Sequence, residues 1–312
     1  MPAELIAVFA AVSYALFTVY GWFGLNYSSA LVATLVSLAS RTIMLWLAVV
    51  FTGGIPQFAP QALWVFVGLG VLQSATSLLT FIGLQKIGTA RSQPLRNTYP
   101  LWSSLIAISF MHEQAGPPVL GGTILVVLGV ALITWQPNTK ALAHCWWHVL
   151  YSLRAGILAG VAFPLRRYGL TITNEPVFFA ALVAVVSLVC SLSYAWISHR
   201  NQSIVWHPKA LMHFSASGFF EGLGALLSLM ALGVGTVLVV SPMVATTPLW
   251  NLLIAYLFLH EAEKLNARTA LGTIAVVGGT IAITLADRGL NYLDKIKFED
   301  VSITWDRSVS IR

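Results

Sequence analysis

The sequence predicts an all-α polytopic membrane protein, with ten transmembrane helices arranged as two inverted repeats of five. Three observations predict this class: an apolar composition, a near-continuous series of long apolar runs, and a passage that occurs once in each half. Of the 312 residues, 57% are hydrophobic and only 9% are charged. A soluble domain is about one quarter charged, so this chain has too few charges to cover a surface in contact with water.

Apolar runs of about 20 residues follow one another almost from end to end, and a helix of that length crosses roughly 30 Å of hydrocarbon. The runs are continuously apolar and do not alternate with polar residues, which disfavours a transmembrane β-barrel. The expected spans 1 to 10 are residues 3–22, 29–51, 62–84, 90–110, 117–135, 149–169, 176–198, 210–232, 237–259 and 267–286.

Residues 88–135 and 235–285 carry the same pattern twice. Each copy closes a half of about five spans, and a unit that crosses an odd number of times must enter the membrane upside down the second time. Inverted repeats around a site at mid-depth are typical of secondary transporters. The matching positions are Pro94, Pro100-Leu101-Trp102, His112-Glu113, Gly122, Gly129 and Thr134 in the first copy, and Pro242, Pro248-Leu249-Trp250, His260-Glu261, Gly272, Gly279 and Thr284 in the second.

The repeat divides the chain into a first repeat over 1–136, a connecting loop over 137–148, a second repeat over 149–286 and a polar tail over 287–312. Ten spans place both termini on the same side of the membrane. Lys and Arg residues occur on both sides of the expected bundle, so the positive-inside rule selects no orientation. They are scattered and not clustered with aromatic residues, which argues against a nucleic-acid partner.

In each half, a Pro-Leu pair within a helix is followed about a dozen positions later by an acidic residue and then by a Gly-x6-Gly helix. This pattern resembles the EamA domain, which is duplicated in the drug/metabolite transporter superfamily, over residues 3–286. Members often have Trp-Gly in the first helix, where this chain has Tyr14-Ala15, with Phe163-Pro164 in the second copy. The resemblance implies a transporter in the cytoplasmic (inner) membrane with cytoplasmic termini. We expect a monomer or a homodimer.

Charged residues inside the expected spans are candidates for function, because an Arg or Glu at the bilayer centre costs at least about 2.5–3.5 kcal/mol. Arg41 lies near the middle of span 2 and Glu221 near the middle of span 8, whereas their repeat mates Cys190 and Gln73 are uncharged. The scaffold therefore does not need charge at these depths. Two structural alternatives stand: Arg41 ties helices together with Glu221 as its partner, and Arg96 in span 4 reaches the membrane interface.

Polar side chains at helical spacing predict the walls of a pathway. In span 4 we expect one continuous polar face, and spans 9 and 3 carry similar faces. Trp102 and Trp250 occupy matching places, where they form either an aromatic wall or symmetrical packing. The faces comprise Ser92, Arg96, Tyr99 and Ser103 in span 4, Ser241, Val244, Thr247 and Asn251 in span 9, and Gln73, Thr76 or Ser77, and Thr80 in span 3.

Other residues receive structural interpretations. Arg166 and Arg167 lie near the expected end of span 6 and are interpreted as interfacial anchors. Glu113 and Glu261 end their helices, where we expect them to accept hydrogen bonds from backbone or loop donors. The prolines at 94, 100, 164, 242 and 248 each remove a helix hydrogen bond, so spans 4, 6 and 9 are expected to kink.

The sequence leads to the hypothesis of a secondary transporter, an exporter or exchanger of small polar metabolites, working by alternating access. Anionic or zwitterionic substrates such as amino acids or organic acids are favoured, with Glu221 meeting an amino group or exchanging a proton. The alternative is a cationic or quaternary-amine substrate in an aromatic cage with Glu221. The absence of Asp from every span disfavours an intramembrane enzyme, and no cofactor or metal is expected. The candidate substrate-binding residues are Arg96, Tyr99, Trp102, Glu221, Arg41, Trp250, Tyr14, Gln73 and Asn251.

Overall fold

The structure is a computed structural model that describes residues 2–111, 113, 116–134, 146–198, 206–258, 271–279, 281–283 and 285. Within these residues the regular structure is entirely helical. The expected all-α class is therefore confirmed.

Six helices are long and apolar enough to cross a membrane, and shorter apolar helices occupy the positions of spans 4, 5, 9 and 10. Large apolar side chains face outward, among them Phe51 at 85% exposed and Trp196 at 87%. The described helices are Ala3–Leu25, Ala30–Phe51, Pro60–Arg96, Tyr99–Met111, Pro117–Thr134, Val149–Ile172, Pro176–Ser198, Pro208–Val234, Val237–Val244 and Thr247–Phe258, with span 10 helical at 271–279 and 281–283.

Proline marks the start of four of these helices, at residues 60, 117, 176 and 208. The first helical position has no intrahelical partner for its N–H, so proline fits there without loss of a hydrogen bond. Within the transmembrane series the chain therefore uses proline in two ways, at helix starts and inside spans 4, 6 and 9. The helix Val149–Ile172 continues through Pro164 without a break.

Spans 3 and 4 are connected without an interruption in helical backbone, since the helix Pro60–Arg96 includes all of span 3 and the first part of span 4. The chain nevertheless turns back within it. A Cβ placed on Gly83 would lie 3.1 Å from the Ser92 hydroxyl, whereas nine residues of straight helix cover about 13.5 Å. The chain reverses direction between these two residues.

Spans 4 and 9 are each broken at matching places, at residues 97–98 and 245–246. Both breaks lie between the two prolines of the repeated pattern, as the expected kinks require. In span 9 a threonine side chain replaces the backbone hydrogen bond that is lost at the break. Pro248 cannot donate to the Val244 carbonyl four residues earlier, and the Thr247 hydroxyl donates to that oxygen at 2.7 Å instead.

Spans 5 and 10 cross through their glycines and run antiparallel. A Cβ on Gly122 would lie 2.7 Å from the Gly279 carbonyl oxygen, and one on Gly129 would lie 2.7 Å from that of Gly272. The earlier glycine of one helix thus meets the later glycine of the other. Since Gly122 and Gly272 are repeat mates, as are Gly129 and Gly279, this is the reciprocal contact that a two-fold axis produces.

The other helix contacts obey the same symmetry. Span 1 packs on span 8, and its mate span 6 packs on span 3. Span 2 contacts span 8, its mate span 7 contacts span 3, and spans 2 and 7 contact each other. The two repeats therefore interlock through reciprocal interfaces, which confirms the expected architecture of two inverted five-helix repeats.

Glu113 lies just after the end of span 4 and ties it to span 9. Its two carboxylate oxygens accept hydrogen bonds from the backbone N–H groups of Val237 and Leu238, at 3.1 and 3.2 Å. Unpaired N–H groups at a helix start favour a carboxylate, so the structural interpretation of Glu113 is confirmed. Its mate Glu261 lies outside the described residues.

Candidate functional site

A cavity of about 50 Å³ lies among spans 1, 3, 4, 6, 8 and 9. It sits at mid-depth: Tyr14 is the twelfth of the 23 residues of its helix, and Glu221 is the fourteenth of 27. This volume has room for a few water molecules. The lining residues are Tyr14, Gln73, Thr76, Arg96, Asn97, Tyr99, Ala159, Ala162, Phe163, Arg166, Glu221, Val244 and Thr247.

Eight of these residues form four repeat-related pairs. With an offset of 149 or 148 positions, the pairs are Tyr14 with Phe163, Gln73 with Glu221, Arg96 with Val244, and Tyr99 with Thr247. A cavity lined by both members of each pair surrounds the pseudo-two-fold axis that relates the repeats. The site therefore lies where the two halves meet.

Gln73 and Glu221 touch each other across this axis. The Gln73 amide nitrogen donates to Glu221 Oε1 at 3.1 Å, and the Ser77 hydroxyl donates to the same oxygen at 3.5 Å. Arg41 Nη1 completes the set at 3.3 Å, with side chains 1% and 5% exposed for Arg41 and Glu221. Removing either member of such a buried pair leaves a buried charge without compensation.

Arg41 reaches Glu221 because spans 2 and 8 approach closely. The backbone of Ser37 lies against Gly218, and a Cβ on Gly222 would be 3.3 Å from Cγ of Arg41. Small residues at this spacing let two membrane helices pack tightly. Arg41 stands behind Glu221 and does not line the cavity, so the structural alternative, a helix-tying charge with Glu221 as its partner, matches its place.

Arg166 is buried at 6% exposed and lines the cavity, so its interpretation as an interfacial anchor is wrong. Its Nη2 donates to the Gln73 side-chain oxygen at 3.1 Å, Tyr14 lies beside it, and its guanidinium lies 5.6 Å from the centre of the Phe163 ring. The helix continues to Ile172, three residues beyond the expected end of span 6, which moves Arg166 deeper than the sequence indicated.

Arg167 has a different role from its neighbour. Its Nη1 donates to the carbonyl oxygens of Leu232, at 2.6 Å, and Gly233, at 3.4 Å. These carbonyls belong to the last turn of the helix Pro208–Val234, where a cation is stabilised by the exposed carbonyl dipoles. Arg167 therefore ties span 6 to the end of span 8.

Arg96 and Tyr99 flank the break in span 4, and span 6 supports that break. A Cβ on Gly156 would lie 2.9 Å from the Arg96 carbonyl oxygen, and one on Gly160 would lie 3.0 Å from the Tyr99 carbonyl oxygen. The Tyr99 ring stacks on Phe163 with centroids 5.2 Å apart and planes inclined by 3°. Small residues in span 6 thus let the broken segment come close enough to present both side chains to the cavity.

Several polar atoms of the lining residues have no hydrogen-bond partner within the described protein. They are Arg96 Nε, Asn97 Nδ2, the Tyr99 hydroxyl, Arg166 Nε and Glu221 Oε2. Buried polar groups are normally paired, so these five atoms make the cavity a polar one, whose groups can bond to water or to a polar ligand. The set includes donors on two guanidinium groups and one carboxylate oxygen.

The structure brings together five of the nine candidate substrate-binding residues: Tyr14, Gln73, Arg96, Tyr99 and Glu221. The other four, Arg41, Trp102, Trp250 and Asn251, are not among the lining residues. Trp102 is 37% exposed, and its Nε1 donates to the Thr98 hydroxyl at 3.3 Å. Trp250 and Asn251 are half-buried in the second segment of span 9.

The expected continuous polar face of span 4 is wrong, because the break changes the helical phase. Arg96 and Tyr99 line the cavity, whereas Ser92 and Ser103 make helix contacts. The Ser92 hydroxyl bonds to that of Ser152 at 2.7 Å, and the Ser103 hydroxyl bonds to that of Ser241. Among the residues described, no three His, Cys, Asp or Glu side chains lie close enough together to hold a metal ion.

Comparisons with known proteins agree with this architecture. The model of the EamA-like transporter family matches residues 1–135 and 146–285. A crystal structure described only as that of a protein superposes with a TM-score of 0.75 at 15% identity, over 91% of this chain and 98% of the other. At 15% sequence identity, this structural similarity is evidence for a shared fold only.

No curated protein sequence matches this chain closely enough to count as a relative. The family model nevertheless covers most of the chain, once in each half, and the two matches coincide with the two repeats that interlock around the cavity. Repeat, fold and family model together show that this multi-pass membrane protein belongs to the EamA-like transporter family.

Proposed function

We propose that the protein transports a small polar metabolite, anionic or zwitterionic, by alternating access. The observation that carries the proposal is the polar cavity at mid-depth on the axis between two antiparallel repeats. Inverted repeats allow a transporter to open to either side by moving one set of helices against the other around a fixed site. The chain thus has the arrangement that such a cycle requires.

The size of the cavity supports a conformational cycle. At about 50 Å³ it is well below the roughly 300–1,000 Å³ of typical small-molecule sites. Its walls must therefore part before a metabolite enters. The breaks at residues 97–98 and 245–246 lie in two of the six spans that line the cavity, and a broken helix bends more easily than an intact one.

The charges of the lining residues favour an anionic or zwitterionic substrate. Arg96 and Arg166 offer guanidinium donors that suit a carboxylate or a phosphate. The unpaired Oε2 of Glu221 is an acceptor for an ammonium group or a proton. Tyr14 and the stacked pair of Tyr99 and Phe163 enclose the less polar part of the molecule.

The cationic alternative is less consistent with the same contacts. Glu221 Oε1 is 3.3 Å from Arg41, so the carboxylate that would attract a cation already has a cationic partner. Two further guanidinium groups line the cavity and would repel a quaternary amine. The aromatic rings alone offer a cation about 2 kcal/mol or somewhat more each at best.

We propose the cytoplasmic membrane as the location, with both termini in the cytoplasm and a monomer or homodimer as the assembled form. The lipid bilayer surrounds the apolar exterior, and the substrate is a free small molecule. Proton exchange at Glu221 is the coupling that the site offers. These assignments rest on the family and on the even number of spans.

Counterflow in proteoliposomes tests the proposal. Vesicles loaded with amino acids, organic anions or amines are diluted into trace radiolabelled compound, and accumulation of an anionic or zwitterionic tracer is expected. Arg96→Ala and Glu221→Gln are expected to weaken that uptake or change its pH dependence. Arg154, which is exposed on span 6, provides Arg154→Gln as a matched control. Accumulation of amines alone would overturn the proposal.

A further inference from the structure

The cavity gathers more positive than negative charge. Three guanidinium groups, those of Arg41, Arg96 and Arg166, lie in or directly behind it, against the single carboxylate of Glu221. The other carboxylates in the described part of the chain belong to Glu4, Glu113 and Glu175, and all three lie at helix ends. Two positive charges are therefore left over at the centre of the bundle.

The ion pairs and hydrogen bonds of the three arginines show which two of them have no opposite charge beside them. Arg41 and Glu221 form a buried ion pair at 3.3 Å, which is neutral as a unit. Arg166 contacts the Gln73 amide, which accepts a hydrogen bond but carries no charge. Arg96 has no carboxylate within 4.0 Å among the described residues. An uncompensated charge inside a membrane protein is costly, so Arg96 and Arg166 together favour a ligand of opposite charge.

We propose that the cavity is a site for a small anion with two negative charges, a dicarboxylate or a phosphate monoester, held between Arg96 and Arg166. This proposal rests on the proposed transport function and narrows its substrate class. Guanidinium groups bind carboxylate and phosphate through two parallel N–H donors. Tyr99 also lines the cavity, and its unpaired hydroxyl is a further donor.

The two arginines come from different halves, since Arg96 belongs to the first repeat and Arg166 to the second. A doubly charged anion that engages both therefore links the repeats across the axis. A singly charged molecule neutralises one guanidinium and leaves the other, inside the bundle, without an opposite charge. The site accordingly selects for total charge, because only the second negative charge removes that remaining penalty.

The experiment compares ligands that differ by one charge and little else. Purified protein is unfolded by heat in detergent with succinate or with succinamate, in which one carboxylate is replaced by an amide of similar shape. Aspartate against asparagine repeats the comparison with an ammonium group. Glycerol 3-phosphate against its methyl ester, a phosphodiester with one negative charge fewer, tests the phosphate form. Ligand affinity follows from the concentration dependence of the unfolding temperature. We expect the more highly charged member of at least one pair to bind about tenfold tighter or more.

Variants then identify the residues responsible. Arg166→Gln is expected to reduce the preference for the second charge to about threefold or less. Arg154→Gln removes the same charge from the exposed face of the same helix and is expected to keep the preference. If Arg166→Gln does not fold, the wild-type ratios and the half-buried Arg96 position, tested as Arg96→Gln, decide the question.

Equal affinity within every pair would overturn the two-charge site, even if counterflow shows transport of singly charged anions or zwitterions, in which case the proposed function stands. Loss of the preference in Arg154→Gln to the same extent as in Arg166→Gln would also overturn it, since the preference would then come from overall charge. Transport of amines alone would remove both proposals together.

Discussion

Around the cavity, the first half presents two phenols, an amide and a guanidinium at the positions where the second half presents a phenyl ring, a carboxylate, a valine and a threonine. The pairs are Tyr14 with Phe163, Tyr99 with Thr247, Gln73 with Glu221, and Arg96 with Val244. The positions and the helix breaks repeat, but the charges do not. Both halves thus share the helix positions and breaks that the packing requires. The charged side chains differ between the halves, so the packing does not require them. Replacing a residue by the type found at its repeat mate therefore tests the effect of the charge separately from that of the shared packing.

Glu221→Gln gives the axis two identical amides and is expected to have the largest effect. Arg41, 1% exposed, loses its compensating charge, which costs about 3–5 kcal/mol. Thermal unfolding in detergent measures the loss. A double variant that adds Arg41→Cys carries the residue type of the repeat mate at both positions. Its loss of stability is expected to be smaller than the sum of the losses of the two single variants. Strict additivity would contradict the buried pair.

Arg96→Val replaces a charged lining residue by the type found at its mate, Val244. We expect about a tenfold to hundredfold loss in substrate affinity, as for a lost hydrogen bond between charged groups of about 1.5–3 kcal/mol. Without substrate the unfolding temperature should stay the same or rise, because Arg96 is half-buried and its charge has no charged partner among the described residues. Competition in the counterflow assay measures the affinity. An unchanged affinity would show that the charge asymmetry at this position is not used for the substrate.

Gly122→Ala tests the part that the halves share. The new Cβ would lie 2.7 Å from the Gly279 carbonyl oxygen, and the displacement of span 5 is expected to cost about 1–3 kcal/mol. Gly279→Ala should cost a similar amount, since its Cβ would lie 2.6 Å from the Gly122 carbonyl oxygen.

The neighbouring Gly121 is the matched control, because a Cβ there meets nothing within 4 Å. Gly121→Ala should leave stability unchanged or raise it by up to about 1 kcal/mol through helix propensity. Equal effects at 121 and 122, measured by thermal unfolding, would argue against the close crossing of spans 5 and 10.

Glu113→Gln is expected to have the smallest effect. The amide keeps one acceptor for Val237 and Leu238 but loses the negative charge at the helix start, which costs about 0.5–2 kcal/mol. Hydrogen exchange at these two amides should become faster while distant helices keep their protection. Slow exchange at both amides in the variant would show that the carboxylate does not hold the start of span 9.

The fold was predictable from the sequence because it depends on patterns that survive without three-dimensional detail. Apolar runs indicate the spans, and the repeated prolines and glycines indicate the breaks and the crossing of spans 5 and 10. The depth of Glu221 and Arg41 followed from their distance to both helix ends. Their direct contact was one of two open alternatives, since spacing along a chain does not reveal which side chains of different helices meet.

The site was predictable only in part. Arg166 was misplaced because the estimated end of span 6 fell three residues short of Ile172, which made a buried cavity residue look interfacial. The predicted positions of the tryptophans and of the polar face of span 4 assumed that the helical spacing continues across the breaks. The break at residues 97–98 rotates the second segment of span 4, so Trp102 turns outward and Ser103 turns to span 9. The signal that could have found Arg166 is its spacing of two and three residues from Pro164 and Phe163, the mate of Tyr14.

Gln73 and Glu221 bond to each other on the axis that a half-turn exchange of the repeats leaves fixed. If the two repeats exchange conformations as the protein opens inward and outward, the helices rotate about this bond, and its length need not change. Molecules arriving from either compartment then travel similar distances to reach it. The direction of net flow would accordingly be set by the gradients of the substrate and of any exchanged proton. The difference between an acid and an amide at this bond would change only the rates of the two half-cycles.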